Sequence, residues 1–210
     1  MKIGIIGKGL FGKNIYENAK NIGEIVFFTG KQFNVSFDID WVVIATPAES
    51  HYKLAKYFMN RKINVFCEKP PTKSHKETSD LIVTAYNNDV KIYFDDILIY
   101  NNIYTFYKND LKKSKSLKFK WEKLGTFKDN IFNNLTYHDL YLLVDLFGDQ
   151  DLNSLSFNNN QSNKKSLSFY YGSDIKIELE YDRVSKNHNK LIESDYVGIH
   201  FLFGAAQLFL

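Results

Sequence analysis

The sequence has little cysteine, proline and arginine, and no long apolar run. Cys67 is the only cysteine among 210 residues, which excludes an intramolecular disulfide framework. Lys, Asp or Asn interrupts each apolar stretch before it reaches the ~20 residues that span a bilayer. The first residues also lack the basic, apolar and small-residue order of a signal peptide. We therefore expect a soluble, cytoplasmic protein without a membrane partner.

The sequence also has no large excess of charge of either sign. The 27 basic and 24 acidic residues leave a net charge of +3, which is too small and too evenly spread to favour a nucleic-acid partner. Arginine occurs only at Arg61 and Arg183, whereas Lys, Asn, Ile, Phe and Tyr are abundant, so single Lys or Tyr residues carry little weight. Hydrophobic residues make up 44% of the chain, which is enough to form a folded core.

The first half of the chain alternates short apolar runs with helical patterns. Helices are predicted at 11–21, 51–60 and 74–86, and strands at 2–6, 24–29, 41–46, 64–67 and 91–94. This alternation predicts a parallel sheet up to about residue 95. The stretch 30–39 is near the lower limit of ~10–12 residues for a crossover that includes a helix, so we expect one wing of the sheet to be trimmed.

From residue 97 onward the strand-like segments are longer. The pattern predicts strands at 116–123, 167–171 and 175–181, a helix at 137–147, and a loop over the polar run 158–165. Apolar residues in the strands at 167–171 and 175–181 predict an exposed apolar sheet face, and such a face favours a homodimer.

A glycine-rich loop stands between the first strand and the first helix. Gly7, Lys8, Gly9, Leu10, Phe11 and Gly12 form the pattern G-x-G-x-x-G, in the strand-loop-helix context that binds dinucleotides. Gly7 suits a tight turn, Gly9 lets the backbone approach a pyrophosphate, and Gly12 lets the helix pack closely on the strand. The helix N-terminus then faces the diphosphate with unpaired N–H groups. The alternative is a glycine-rich turn without a ligand.

The end of the second strand bears on which cofactor is bound. NAD enzymes commonly carry Asp or Glu there to bind the ribose 2′-hydroxyl, but this chain has Thr29, Gly30 and Lys31. A hydroxyl and a cation favour the 2′-phosphate of NADP over NAD. Lys31 as a solvated loop residue remains the alternative.

Three further segments occur in order along the chain. Ala45, Thr46 and Pro47 precede His51 by a short interval, Glu68-Lys69-Pro70 follows the fourth strand, and His138 precedes Gly148 by ten residues. With the glycine loop, these segments resemble the Gfo/Idh/MocA family (glucose-fructose oxidoreductase and inositol dehydrogenase) over residues 1–148. This chain would be a short variant.

The resemblance implies an NAD(P)-dependent oxidoreductase that acts on a sugar, polyol or nucleotide-sugar hydroxyl or ketone. It implies an N-terminal Rossmann domain with a doubly wound parallel sheet at 1–97, and a small, mostly antiparallel sheet domain at 98–210. Lys69 would polarise the substrate oxygen and His138 would exchange the proton. Residues implied in cofactor binding besides the loop are Thr29, Lys31, Ala45, Thr46, Pro47, His51, Glu68 and Lys69, and those implied in substrate binding are Lys69, Asn134, His138 and Tyr141.

Each of these assignments has a structural alternative. Lys69 could be a surface lysine, His138 a core histidine, Tyr141 a packing residue and His51 a helix cap; Pro70 could follow a cis peptide bond. Asn134 and Tyr141 stand where the family commonly has Asp, and the second domain is short. A non-catalytic dinucleotide-binding protein is therefore the alternative function. With a single cysteine and no clustered histidines, no metal site is expected.

Overall fold

The structure, a computed structural model, describes residues 1–30, 38–123 and 131–202, except for the side chains of Lys123, Asn133, Asn134 and Leu202. The chain divides into two compact units, Met1–Asp96 and Ile97–Leu210. No helix within the described residues is long and apolar enough to cross a membrane.

The first unit is a parallel sheet of five strands in the order β2-β1-β3-β4-β5. The strands are β1 (Lys2–Ile6), β2 (Glu24–Thr29), β3 (Trp41–Ile44), β4 (Asn64–Cys67) and β5 (Ile92–Phe94). The helices are α1 (Leu10–Ala19), α2 (His51–Met59) and α3 (His75–Asn88). Ser74 caps α3 by accepting a hydrogen bond from the N–H of Glu77 at 3.2 Å, as expected for a capping serine.

Helices cover both faces of this sheet because side chains alternate along each strand. Ile3 and Ile5 of β1 pack with Ala19 of α1 on one face. On the other face, Val42 and Ile44 of β3 pack in a core with α2 and α3 side chains. The result is a doubly wound parallel sheet, whose strands all end at the same edge.

The second unit is a six-stranded sheet in the order β11-β10-β6-β9-β8-β7. The strands are β6 (Ser116–Lys123), β7 (Leu152–Asn160), β8 (Lys164–Tyr171), β9 (Ile175–Asp182), β10 (His188–Ser194) and β11 (Gly198–Leu202). Neighbouring strands are antiparallel, except that β6 and β9 run parallel. The helices are α4 (Asn102–Leu111) and α5 (Tyr137–Phe147), and a π-helical turn at Phe132–Thr136 leads directly into α5. The predicted fold class is confirmed.

The apolar side chains of β8 and β9 do not form an exposed face. Leu167 and Leu179 lie in one buried core with Leu142 of α5. The opposite face of the sheet is charged and carries ion pairs such as Lys118–Glu180 at 2.8 Å. The prediction of an exposed apolar face was therefore wrong. Side chains alternate between the two faces of a strand, and the apolar ones of β8 and β9 are on the face that the helices cover. The homodimer stays a prediction without that support.

The predicted loop at 158–165 is also wrong over most of its length. Asn160 ends β7 and Lys164 begins β8, so the connection is residues 161–163. Strand pairing is made by backbone hydrogen bonds, which polar side chains on an exposed strand do not prevent. Helix α4 was not predicted, although Asn101 caps it by accepting from the N–H groups of Ile103 and Tyr104.

Candidate active site

The glycine loop lies at the carboxyl end of β1. Gly7 has φ +123°, a conformation that favours glycine, and its N–H donates to the Thr29 carbonyl at 2.8 Å. A Cβ on Gly7 would lie 2.2 Å from the Ala45 oxygen, and one on Gly12 would lie 1.9 Å from the Gly7 oxygen. Neither position has room for a side chain. The loop is therefore packed tightly against β3 and α1.

Gly9 differs from the other two glycines because the space around it is open. A Cβ built there meets nothing within 4 Å among the described residues. Gly9 is the N-cap of α1. The first N–H groups of this helix, which have no partner inside the helix, therefore lie next to open space. The side chains of Leu10 (82% exposed) and Phe11 extend into solvent, and the Lys8 amine lies 5.7 Å from the Phe28 ring. This arrangement fits a dinucleotide pyrophosphate.

The loop after β3 is held by hydrogen bonds to β1 and within the loop itself. The Ala45 N–H donates to the Ile6 carbonyl at 2.8 Å, and the Thr46 and Ser50 hydroxyl oxygens are 2.6 Å apart. Pro47 precedes a short 3₁₀ turn at Ala48–Ser50 that leads into α2. Backbone groups of this loop thus stand at the same sheet edge as the glycine loop.

His51 joins the loops that follow β3 and β4. Its side chain is buried at 1% exposure, with Nε2 2.7 Å from the Thr46 carbonyl oxygen and Nδ1 2.8 Å from that of Pro70. The ring therefore cross-links the segment with Thr46 to the segment with Lys69. A contact of His51 with the nicotinamide stays a prediction. Lys31 and the side chain of Asn134 lie outside the described part of the chain.

Glu68 and Lys69 follow β4 at the carboxyl edge. The Glu68 N–H donates to the Ile44 carbonyl at 3.0 Å, and the Lys69-Pro70 peptide bond is cis. The Glu68 side chain is 7% exposed. Its Oε1 atom has no hydrogen-bond partner among the residues that the structure describes. A buried, unsatisfied carboxyl oxygen is costly, so this position is unusual for a purely structural residue.

Asp95 lies beside Glu68, and sequence reasoning missed it. Cys67 and Phe94 are partners in the β4–β5 pairing, so the next residues of the two strands are neighbours, and the Asp95 N–H donates to the Cys67 carbonyl at 2.9 Å. Asp95 is 9% exposed and Asp96 is fully buried. Its position in the sequence could have indicated it: Asp95 directly follows β5, and β5 pairs with β4, the strand that Glu68 follows.

The two carboxyl groups perturb each other. Burial raises the pKa of Glu68 to about 8, and the charge of Asp95 and a hydrogen bond to it add to this, while Lys69 opposes it. Burial also raises the pKa of Asp95, while the hydrogen bond from Glu68 opposes the shift. Close carboxyl groups in a poorly solvated site share a proton. Because the pKa of Glu68 is raised to about 8, this carboxyl is the one that holds a proton at neutral pH.

The second unit holds the other predicted chemical residues. His138 is at the start of α5 and is buried to 9% exposure, with its ring centroid 5.7 Å from that of Trp121 and 6.0 Å from that of Tyr137. Tyr141 lies one turn further along, its ring 6.0 Å from Tyr137. These rings form an aromatic cluster around the N-terminal turn of α5.

Asp139, the next residue, is at the centre of a buried polar network. Its carboxylate forms an ion pair with Lys190, and it accepts from the Trp121 indole N–H at 3.0 Å and from the Tyr181 hydroxyl at 2.9 Å. Asp139 and Lys190 are both fully buried. Sequence reasoning missed Lys190, because one lysine among many gives no signal of its burial.

No group of three or more His, Cys, Asp or Glu residues able to hold a metal ion occurs within the described ranges. What the first unit does present is a set of backbone and side-chain groups at the carboxyl edge of a doubly wound sheet. Ligands of such sheets bind at this edge.

Comparison with known proteins agrees with this geometry. Residues 28–95 match the Gfo/Idh/MocA family model, described as an oxidoreductase family with an NAD-binding Rossmann fold. No curated protein matches the sequence of this chain. The resemblance drawn from the motifs is confirmed over residues 28–95, which match the NAD-binding Rossmann fold of an oxidoreductase family.

Solved structures share the fold across both units. A probable dehydrogenase from Thermotoga maritima matches 95% of this chain and 75% of its own length at 15% identity, with a TM-score of 0.82. UDP-N-acetylglucosamine 3-dehydrogenase GnnA from Acidithiobacillus ferrooxidans matches 93% and 74% at 17% identity, with a TM-score of 0.82. The WlbA dehydrogenase from Thermus thermophilus, solved with NAD and UDP-GlcNAcA, matches 97% and 84% at 15% identity, with a TM-score of 0.81.

Proposed function

We propose that this chain, whose residues 28–95 match the model of the Gfo/Idh/MocA oxidoreductase family, transfers a hydride between a nicotinamide cofactor and a hydroxyl or ketone of a carbohydrate-like substrate. The observation that carries the proposal is the combination at one sheet edge of an open Gly9 backbone after β1 and Lys69 after β4. One feature suits a pyrophosphate, and the other supplies a cation for a developing negative charge.

Several residues of the first unit would hold the cofactor. The glycine loop and the N-terminus of α1 would bind the pyrophosphate, with Thr29 at the ribose end of β2. The loops with Thr46 and Glu68 would lie along the nicotinamide half, and the His51 bonds to the Thr46 and Pro70 carbonyls would fix their spacing. When bound, the nicotinamide ring accepts or supplies the hydride.

Two side chains have separate roles in the proposed reaction. Lys69 donates a hydrogen bond to the substrate oxygen and stabilises the charge that develops on it. His138 of the second unit takes the hydroxyl proton during oxidation and returns it during reduction. Asn134 and Tyr141 are proposed to contact the substrate.

The substrate class we favour is a nucleotide-linked or free sugar. The support is the family match over residues 28–95, together with neighbours whose names specify UDP-N-acetylglucosamine 3-dehydrogenase and a complex with UDP-GlcNAcA. A putative myo-inositol dehydrogenase from Sinorhizobium meliloti has the same fold at 14% identity, so a polyol belongs in the same test.

The proposed cofactor preference is for NADPH over NADH. The sequence Thr29-Gly30-Lys31 provides a hydroxyl and a cation but no carboxylate at the end of β2. One charge-assisted contact is worth about 1.5–3 kcal/mol, or roughly 10- to 150-fold in affinity. We expect fluorescence titration to show tighter NADPH binding, and Lys31→Ala to remove much of the difference. Equal affinities in the wild type, or a preference for NADH, would contradict this.

The activity itself is tested by single-turnover hydride transfer. Absorbance of the reduced nicotinamide is followed with a panel of UDP-sugars, free sugars and polyols, for the wild type and for Lys69→Met. Loss of one such donor is expected to lower turnover by about 10²–10³, with cofactor affinity nearly unchanged because the pyrophosphate is held by the glycine loop.

Lys73→Met is the matched control. Lys73 follows Lys69 closely in the chain, but its side chain is exposed and pairs with Glu49 at 2.8 Å, so its loss should leave turnover within a factor of two or so. If the wild type binds NADPH yet converts no member of the panel, the protein is a dinucleotide-binding relative without this activity.

A further inference from the structure

Glu68 and Asp95 form a pair whose position suggests a role beyond binding the cofactor. They follow the adjacent strands β4 and β5, whose last paired residues are Cys67 and Phe94. Both side chains are more than nine-tenths buried. Two carboxyl groups placed side by side in the interior are unfavourable unless they share a proton, so a fold that keeps both is retaining something that an Asn or Gln would not supply.

Lys69 is the cation that responds to this pair. It is the residue after Glu68, and its charge acts on both carboxyl groups by lowering their pKa values. The interaction is reciprocal, since any change of charge on the pair changes the field at the Lys69 ammonium. The pair is thus coupled to the side chain that we propose acts on the substrate oxygen.

The surroundings of the pair leave few other groups to neutralise it. Asp96, fully buried, adds negative charge against Asp95 and raises its pKa. Burial raises the pKa of the Cys67 thiol, which keeps that group neutral. From α2, the His51 ring nitrogens lie 2.7 Å from the Thr46 carbonyl oxygen and 2.8 Å from that of Pro70, so this ring contacts the backbone and not the pair. Lys69 is the cation whose charge lowers the pKa values of both carboxyl groups.

We propose that the Glu68–Asp95 pair is a positioning element for Lys69: with one shared proton it presents a single negative charge to the ammonium, and without that proton it presents two. The single charge leaves the N–H donors of the Lys69 ammonium available to the substrate oxygen. The second charge binds the ammonium more strongly and competes with the substrate oxygen for its N–H donors. This inference rests on the proposed function, because it assigns the substrate-facing role to Lys69.

The sign of the pH effect follows from the protonation of Glu68. Its pKa is raised to about 8 in the folded protein, so below that pH the pair holds its proton and Lys69 is available to the substrate. Above it, turnover should fall about tenfold per pH unit, as for a single required proton. Glu68→Gln leaves one permanent charge on Asp95, so the fall should be absent up to pH 9. Asp95→Asn likewise leaves at most one charge in the pair, that of Glu68, so the fall in turnover should be absent there too. Burial still raises the pKa of Glu68 in that variant, but the contribution from the charge of Asp95 is lost.

The experiment has two readouts on the full chain. The first is the pH profile of hydride transfer for the wild type, Glu68→Gln, Asp95→Asn and the control Glu17→Gln, an exposed residue of α1 paired with Lys20. The second needs neither cofactor nor substrate: lysines are reductively methylated with ¹³C, the Lys69 signal is assigned by its loss in Lys69→Arg, and its shift is followed with pH. Circular dichroism checks that each variant is folded.

We expect the Lys69 signal to shift with a midpoint near pH 8 in the wild type and in Glu17→Gln, and to lose this step in Glu68→Gln. A Lys69 signal without such a step, or one that keeps it in Glu68→Gln, would overturn the inference. If the step is present but no substrate of the panel is converted, the coupling of the pair to Lys69 stands and the proposed reaction fails. If turnover falls above pH 8 equally in the wild type and in Glu68→Gln, the coupling does not control the reaction and the inference is wrong.

Discussion

His138→Asn is expected to lower the rate of hydride transfer by about 10²–10⁴, the range for loss of a proton-transfer group. Asn is smaller than His but can also donate or accept a hydrogen bond, and it cannot take a proton near neutral pH. The variant should therefore also lose the acidic limb of its pH profile for alcohol oxidation, where a protonated His138 cannot accept the hydroxyl proton. Pre-steady-state absorbance over a pH series measures both effects.

A purely structural role for His138 predicts a different outcome. Its ring lies against Trp121 at 5.7 Å, so removal of the ring loosens packing at the start of α5 and should then change the midpoint of unfolding without reshaping the pH profile. His188→Asn is the control, since His188 is an exposed residue at the start of β10. Retention of the acidic limb in His138→Asn would contradict the proton-transfer role.

Lys190→Met should destabilise the second unit by about 3–5 kcal/mol, the cost of removing one partner from a buried ion pair. The Asp139 carboxylate would keep its bonds from the Trp121 indole and the Tyr181 hydroxyl but would lose the cation. Met has a length similar to that of Lys and fills most of the space, so the loss reports the charge and not a cavity. Urea unfolding followed by tryptophan fluorescence gives the free energy.

The double variant Asp139→Asn/Lys190→Met distinguishes an uncompensated charge from lost packing. Asn still accepts from Trp121 and Tyr181 but carries no charge, so the double variant should recover part of the stability lost in Lys190→Met. Lys176→Met serves as the control, because the Lys176–Glu178 pair at 2.6 Å is on the exposed face and should contribute about 0–1 kcal/mol. If Lys190→Met costs no more than Lys176→Met, the network does not hold α5 on the sheet.

Much of the first unit is determined by local sequence. Strands at Lys2–Ile6, Glu24–Thr29 and Asn64–Cys67 match their predicted bounds, because buried parallel strands are short apolar runs between helical patterns. The glycines act as their spacing predicts: Gly7 and Gly12 have no room for a Cβ, whereas Gly9 faces open space. A tight turn leaves a signal in adjacent residues, so no tertiary information is needed to find it.

Only the tertiary structure shows which charged residues become neighbours in the two units. Asp95 is far from Glu68 in the sequence and becomes its neighbour because β4 and β5 pair at Cys67 and Phe94. Lys190 reaches Asp139 through the pairing of β10 with β6, which places it opposite Trp121. The inward direction of the apolar residues in β8 and β9 likewise depends on which face the helices cover. Strand order and burial are properties of the whole sheet, so they cannot be predicted from composition and local periodicity.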